Sequence, residues 1–354
     1  MTGAAPQIPT AAITSTDDVR VVPHEEWDDL VARLGGDDVY LRLGWNQSAT
    51  HLEPTGTVAV LLHVSTGAGE YALPLLLRSV GDDGSLDATS AYGYGGPVAT
   101  GDVDLAAVGA ALDAWAVANG VVATFLRFHP LLGNVRLAPP RAEVVELGST
   151  VAWNVATGRE LLPAMHTHHR RAARKADKAG VEVRITVGPT DLAAFRAMYD
   201  YTMRRQEASA FYFFADEYWD ALIDDAGGEL VLVEAVLADD DESVAALLCI
   251  AHGEWLHYHL GASADAARNI GASNRCFLAA AEWAQEQGMA GFHLGGGVGG
   301  GTDSPLFVFK HRYDPESEPR PFHIAKLVHD TDRYRELAGT DSTDGFFPPW
   351  RAPA

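Results

Sequence analysis

Residues 166–180, HTHHRRAARKADKAG, concentrate cations in a chain whose formal net charge is −22. From Arg159 to Arg184 seven Lys or Arg stand against three acids (Glu160, Asp177, Glu182), a local +4 that leaves the remainder near −26. At about 100° per residue, Arg170, Arg171, Arg174, Lys175 and Lys178 share one helix arc of about 140°. Leu162, Met165, Ala172, Ala173, Ala176 and Ala179 take the other side, and Gly180 ends the helix. Asp177 falls outside the cationic arc. Guanidinium forks grip phosphate oxygens bidentately, so such a row suits a polyanion that the acidic remainder would repel. A solvated helix face is the plainer alternative. His166, His168 and His169 offer at most a weak metal pair, and no metal is expected.

Other stretches carry chemistry-bearing residues. Tyr92 and Tyr94 lie at a turn in YGYGGP, and Arg127 and His129 at the C-terminal end of a strand, where side chains face a cleft. Arg127 suits an acceptor carboxylate; packing for the tyrosines and a surface role for the arginine is the alternative. LGGGVGGGTDS (294–304) joins a strand to a helix. It is neither a Walker loop nor a dinucleotide fingerprint, which leaves a cleft-lining loop or a flexible turn. No Ser–His–Asp or Cys–His arrangement is evident, and no single acid stands out as general base.

The elements that must position these residues repeat one plan. A length of 354 residues favours two domains. The first half reads as a helix (VPHEEWDDLVARL), paired strands (TVAVLLHVS, GEYALPLLLRSV), a helix ending at Gly120 and a buried strand (VVATFLRFH). In the second, DLAAFRAMYDYTMRRQ, capped by Thr190 or Asp191, and DEYWDALIDDAGG, capped by Asp216, are helices. Three antiparallel strands follow within 229–263, then a helix (SNRCFLAAAEWAQEQG), a strand (GFHLGG), a short helix (DSPLFVFKHRY) and a strand (PFHIAKLVH). The expected class is α+β, with mixed, mainly antiparallel sheets. The limits are drawn at 19–155 and 156–340, with 1–18 and 341–354 as tails. Two cysteines imply no disulfide framework. No apolar run approaches a membrane span and the N-terminus lacks signal-peptide character, so a cytoplasmic protein is expected.

HRRAARKADKAGVEVRI, YHLGAS, GASNRCFLAAAEWAQEQGMAGFHLGGG and DSPLFVFKHRY, with YGYGGP and LRFHPLLGN in the first half, resemble the FemABX-like branch of the GNAT superfamily. The likeness runs in order through most of residues 20–337 and implies tandem GNAT-like domains. Members move an aminoacyl group from charged tRNA to an amine of a cell-wall precursor or, in other pathways, of a peptide antibiotic. Related GNAT proteins use acyl-CoA. Phe309 and Lys310 match the family's Phe–Lys pair, which implies a catalytic lysine beside an aromatic that holds the donor's 3′ end. A fixed ammonium in a dry cleft stabilises the oxyanion of ester aminolysis, and a ring can stack on the terminal adenine.

By the same resemblance Arg170, Arg171, Arg174, Lys175 and Lys178 would meet tRNA phosphates. Tyr92, Tyr94, Arg127, His129, Tyr258 and Asn274 would line the substrate sites. RNIGAS (268–273) resembles the GNAT pyrophosphate loop, with Ser273 at its sixth position, and supports a CoA donor as the rival. Cell-wall members carry a Lys four residues after a Trp, where this chain has Ala49 in WNQSA. A small specialised acceptor is therefore expected, with aminoacyl-tRNA as co-substrate and no resident cofactor. A nucleic-acid-binding module without catalysis is the non-enzymatic alternative.

Overall fold

The chain is described from a computed structural model that covers residues 8, 13–237, 242–297 and 301–352. It divides into two compact units, residues 1–147 with 322–354, and residues 148–321.

The first unit contains β1 (Arg20–Val21), α1 (His24–Arg33), α2 (Leu43–Thr50), β2 (Val58–Thr66), β3 (Gly69–Ser79), β4 (Leu86–Thr89), β5 (Val98–Gly101), α3 (Leu105–Ala118) and β6 (Val121–Arg127). The unit boundary falls inside β7 (Glu143–Asn154). The second unit continues with α4 (Leu161–Ala164), α5 (Thr167–Lys178), β8 (Val181–Val187), α6 (Ala193–Arg205), α7 (Asp216–Ala226), β9 (Leu230–Leu237), β10 (Glu242–His252), β11 (Trp255–Ser263), α8 (Ala272–Glu286), β12 (Gly291–Gly296) and α9 (Pro305–His311). Then come β13 (Arg320–Val328), all but its first two residues in the first unit, and α10 (Thr331–Ala338).

In the first unit the strand order is β1-β2-β3-β4-β6-β13, with β5 also on β3. The apolar runs that read as paired strands form the antiparallel β2–β3 hairpin, in register from Val58↔Leu77 to Thr66↔Gly69. Its two-residue turn begins with Gly67 at φ +60°, the positive value that primed hairpin turns need there. Asp104 caps α3 by accepting from Ala106 N–H and Ala107 N–H, and α3 buries Val108, Leu112 and Trp115 in the core.

The second unit orders its strands β7-β12-β11-β10-β9-β8. The three-strand meander forms as expected from β9 through β11, and β8 adds a fourth strand antiparallel to β9. Alanine-rich α8 packs its buried face into this unit's core, where the small side chains permit close approach to the sheet. Cys249 and Cys276 are buried free thiols in the same core.

Several sequence expectations need correction. The basic segment is not one helix from Leu162 onward. Met165 and His166 are extended, so Leu162 and Met165 lie outside α5, which starts afresh with the His166 ring accepting from His168 N–H. Asp216 begins α7 rather than capping it, and pairs with Arg196. Asp191 does hold the start of α6, accepting from Ala193 N–H at 2.7 Å.

Residues 322–340, drawn with the second domain, group with the first unit because β13 pairs antiparallel with β6 from Ile324↔Arg127 to Val328↔Ala123. The stretch after 340 is no loose tail. Phe347 and Trp350 pack on Tyr334, while Trp350 Nε1 and Arg351 Nε both donate to the fully buried Asp87. At the other end Ile13 joins the core and Thr14 N–H bonds Asn119 Oδ1 at 2.9 Å. The remainder of the N-terminal stretch (1–7, 9–12), residues 238–241 with their three acids, and the middle of the glycine loop (298–300) lie outside the described residues.

Candidate active site

In the second unit β11 and β12 run parallel but share register over only three pairs, Trp255↔Gly291, Leu256↔Phe292 and His257↔His293. Immediately beyond, each strand carries a bulge against its other neighbour. The β10–β11 register slips between Leu248 and Cys249, leaving His259 as the extra residue of β11. The β7–β12 register slips after His293, leaving Leu294 extra, with Gly295 at φ +72°. A bulge bends and twists its strand, so two side by side part the strands and open a cleft.

Lys310 reaches the end of β12 from α9. Ser304 caps that helix by accepting from Phe307 N–H at 3.2 Å, and Pro305 supplies a preset first turn. Asp314, just beyond the helix and 1% exposed, is forked by both Arg159 nitrogens at 2.7 Å and accepts from Asn154 N–H. The lysine is therefore fixed by its own helix. Its Nζ donates to Gly296 O at 2.7 Å and lies 5.3 Å from the centroid of the Tyr258 ring, with the residue 6% exposed. Burial lowers its pKa to about 7, so the ammonium and the amine both exist at neutral pH. An ammonium has three donors, of which the Gly296 carbonyl takes one.

Phe309, beside it, packs against His169, Phe277 and Tyr313 at centroid distances of 4.8, 5.8 and 5.5 Å. His169 is a residue that sequence reasoning weighed only as a metal ligand. It is fully buried, and its Nε2 lies 2.8 Å from Phe309 O; because a carbonyl only accepts, Nε2 carries the proton. Burial pulls its pKa down to about 4, which keeps the ring neutral. The signal was present in the sequence, since His169 falls on the alanine side of the α5 wheel. Through this bond the basic helix and the lysine-bearing helix are held together.

The cationic arc divides in two. Arg170 spends its guanidinium on Pro163 O, Met165 O and Thr167 Oγ1, securing the break before α5. Arg171, Arg174, Lys175 and Lys178 are exposed, and among the described residues none pairs with a carboxylate. Asp177 is drawn off by Arg275 at 3.1 Å. Arg171 and Lys175, with His166 and His168, form one wall of a groove of about 590 Å³ whose other wall is the RNIGAS loop and the start of α8.

Asn269 (φ +64°) and Gly271 (φ +82°) shape that loop. A Cβ on Gly271 would come within 2.2 Å of Ala172 O on α5. Gly271→Ala is therefore expected to push α8 from α5, lowering the melting temperature by several degrees and weakening donor binding more than it slows turnover. Differential scanning calorimetry with KM and kcat measured separately checks this. Asn274 reaches both places: it lines the groove, and its Nδ2 donates to Tyr313 Oη at 3.1 Å.

In the first unit the expected residues separate. His129 is fully buried, with Nε2 3.1 Å from Asp38 Oδ1 and Nδ1 accepting from Leu131 N–H, which makes it a framework residue. Tyr94 packs between Tyr40, His129 and Phe322, and burial raises its pKa. Tyr92 gives its carbonyl to Trp45 Nε1. Ala49 is buried in α2. Arg127 is half-buried at the end of β6.

The second unit, a mixed and mainly antiparallel sheet flanked by helices and opened where two parallel strands part, has the fold of a GNAT domain. Residues 164–303 match the family model described as an acetyltransferase (GNAT) domain. A crystal structure of FemX is similar over 90% of this chain and 99% of that one, with a TM-score of 0.64 and 16% identity. L-PGS from Bacillus licheniformis is similar over 85% and 90% (TM-score 0.56, 16% identity), and a tandem GNAT protein from the clavulanic acid biosynthesis pathway over 88% and 99% (TM-score 0.52, 13% identity). No curated protein matches by sequence. The fold is thus shared with FemX and with tandem GNAT proteins, in keeping with the resemblance to the FemABX-like branch. Among the described residues no helix is long and apolar enough to cross a membrane.

Proposed function

We propose that this chain is an aminoacyltransferase that takes its acyl group from charged tRNA and forms an amide on the amine of a small or peptidyl acceptor in specialised peptide metabolism. The observation that carries this reading is the buried Lys310 ammonium beside the parted strands, on a helix that His169 ties to an unneutralised basic face. Tandem GNAT architecture and the motif likeness to the FemABX-like branch support it. The likeness to a protein of clavulanic acid biosynthesis and the alanine at position 49 support a specialised acceptor.

Acceptor-end phosphates would lie along Arg171, Arg174, Lys175 and Lys178, with the terminal adenine stacked near Phe309. The acceptor amine attacks the ester carbonyl, and one Lys310 N–H holds the oxyanion as it forms. The C–N bond closes, the bond to the ribose 3′ oxygen breaks, and the amine's proton passes to that leaving oxygen. The neighbouring ribose 2′-hydroxyl is placed to relay the proton, so no protein base is required.

One observation favours a second donor. The groove between α5 and the RNIGAS loop has the cations and the helix start that a pyrophosphate would use, so acyl-CoA is the rival. Total charged tRNA and acyl-CoA are offered in parallel with candidate amines, before and after ribonuclease, and products are read by mass spectrometry. Transfer that ribonuclease abolishes is the expected result. Turnover indifferent to ribonuclease and dependent on acyl-CoA would transfer the groove to the rival.

A further inference from the structure

In the first unit β4 runs parallel to β6 as far as Thr89↔Phe125, and there the register ends. Arg127 lies just past that point. Its guanidinium sits 4.9 Å over the Phe125 ring, and Nη1 donates to Ser90 O at 3.0 Å and Thr89 Oγ1 at 3.3 Å. Both acceptors are neutral. Among the described residues Nε and Nη2, which form the fork suited to a carboxylate, have no partner, and no carboxylate pairs with this side chain.

The surrounding charges do not make up the deficit. Glu53 and Arg78 act on Arg127 in opposite directions, with burial lowering its pKa more than either. Glu53 is already taken by Arg78 Nη1 at 2.8 Å. The next acid, Asp87, is fully buried and engaged on one oxygen by Arg78 Nε at 2.5 Å and on the other by Arg351 Nε at 2.8 Å. Two carboxylates are therefore taken up by Arg78 and Arg351, and the third guanidinium, Arg127, is the surplus cation with an unused fork. A partly desolvated cation without an anion is a standing cost to the fold. One negative charge would close the balance, and a phosphate dianion would overshoot it.

We propose that the first unit carries a binding site at Arg127 for the carboxylate of a small molecule, held bidentately on Nε and Nη2. A phosphodiester shares the monoanionic oxygen chemistry and is separated by the test. The inference does not depend on the donor or on the chemistry at Lys310.

The test titrates the full chain, carrying Arg171→Ala and Lys175→Ala to remove anion binding at the second unit's groove, with N-acetylglycinate, its neutral amide and dimethyl phosphate. Calorimetry and chemical shifts of the arginine Nε–H report binding. Saturable binding of N-acetylglycinate is expected, about tenfold or more tighter than the amide, with the shift on Arg127. Arg127→Gln should abolish the difference, and Arg127→Lys, which keeps charge without the fork, should retain only part of it. N-acetylglycinate binding no tighter than the amide overturns the proposal, whether or not either variant folds. A preference for dimethyl phosphate overturns the carboxylate assignment.

Discussion

Lys310→Met is expected to lower amide formation by about 10²–10³-fold, leaving a small residual rate, if Lys310 is the main oxyanion donor, while the protein becomes more resistant to heat near pH 7. The two effects share one cause. Desolvation holds the lysine's pKa near 7, so folding places the chain's hold on this proton well below its unfolded value of about 10.4. Between about pH 7 and 10.4 the unfolded chain binds more protons than the folded one, and wild-type stability therefore rises with pH across that window. Methionine fills a similar volume without the desolvation cost, so the variant gains most below pH 7 and loses the rise. Melting temperatures from pH 6 to 10 check this half.

The rate profile checks the other half. If the ammonium is the working form, wild-type kcat declines as pH climbs through about 7, opposed by the acceptor amine, which must lose its proton to attack. Residual turnover by the variant should lack the alkaline decline. A variant that keeps wild-type turnover removes Lys310 from the chemistry, whatever its stability.

The sequence was most legible where local pattern and global packing agree. The run TVAVLLHVS and its partner could hardly avoid a hairpin, because both are apolar and Gly67 supplies the turn. The helix after Asp104 shows its cap, its buried stripe and its stop at Gly120. Lys310 and Phe309 were found by likeness to a motif rather than by periodicity.

What escaped notice depends on long-range pairing. Nothing local says that residues 324–328 will pair with 123–127, so the assignment of that strand to a unit could not be read. Asp87 looks like a surface acid until Arg78, Trp350 and Arg351 are seen to converge on it. The bulges at His259 and Leu294 left no local signal except the Gly295 that accommodates one of them. Helix α10 was missed although its signals were plain, with Asp330 as N-cap and Gly339 in the left-handed conformation beyond its end.

Charge reversal on α5 is expected to have the second largest effect, and it separates the exposed cations from Arg170. Arg171→Glu with Lys175→Glu replaces two cations by two anions on the groove wall, a change of four charges where the proposed donor phosphates would lie. Each lost phosphate contact removes about 0.9 from the magnitude of the log–log salt slope on a B-form duplex, or about 0.7 on single strands. Apparent donor affinity should fall by about 10²-fold or more at moderate salt, with kcat at saturating donor reduced far less, because Lys310 keeps its bond to Gly296 O. Raising salt should weaken the wild type steeply and the variant little, so the two curves converge. Arg170→Gln behaves differently. Its bonds to Pro163 O and Met165 O secure the segment before α5, so this substitution should cost stability and leave the salt slope nearly unchanged. Donor titrations at several salt concentrations, run for all three proteins, read both slope and affinity. Equal slopes for wild type and the double variant would mean that the phosphates lie elsewhere, and the basic face would revert to a solvated helix surface.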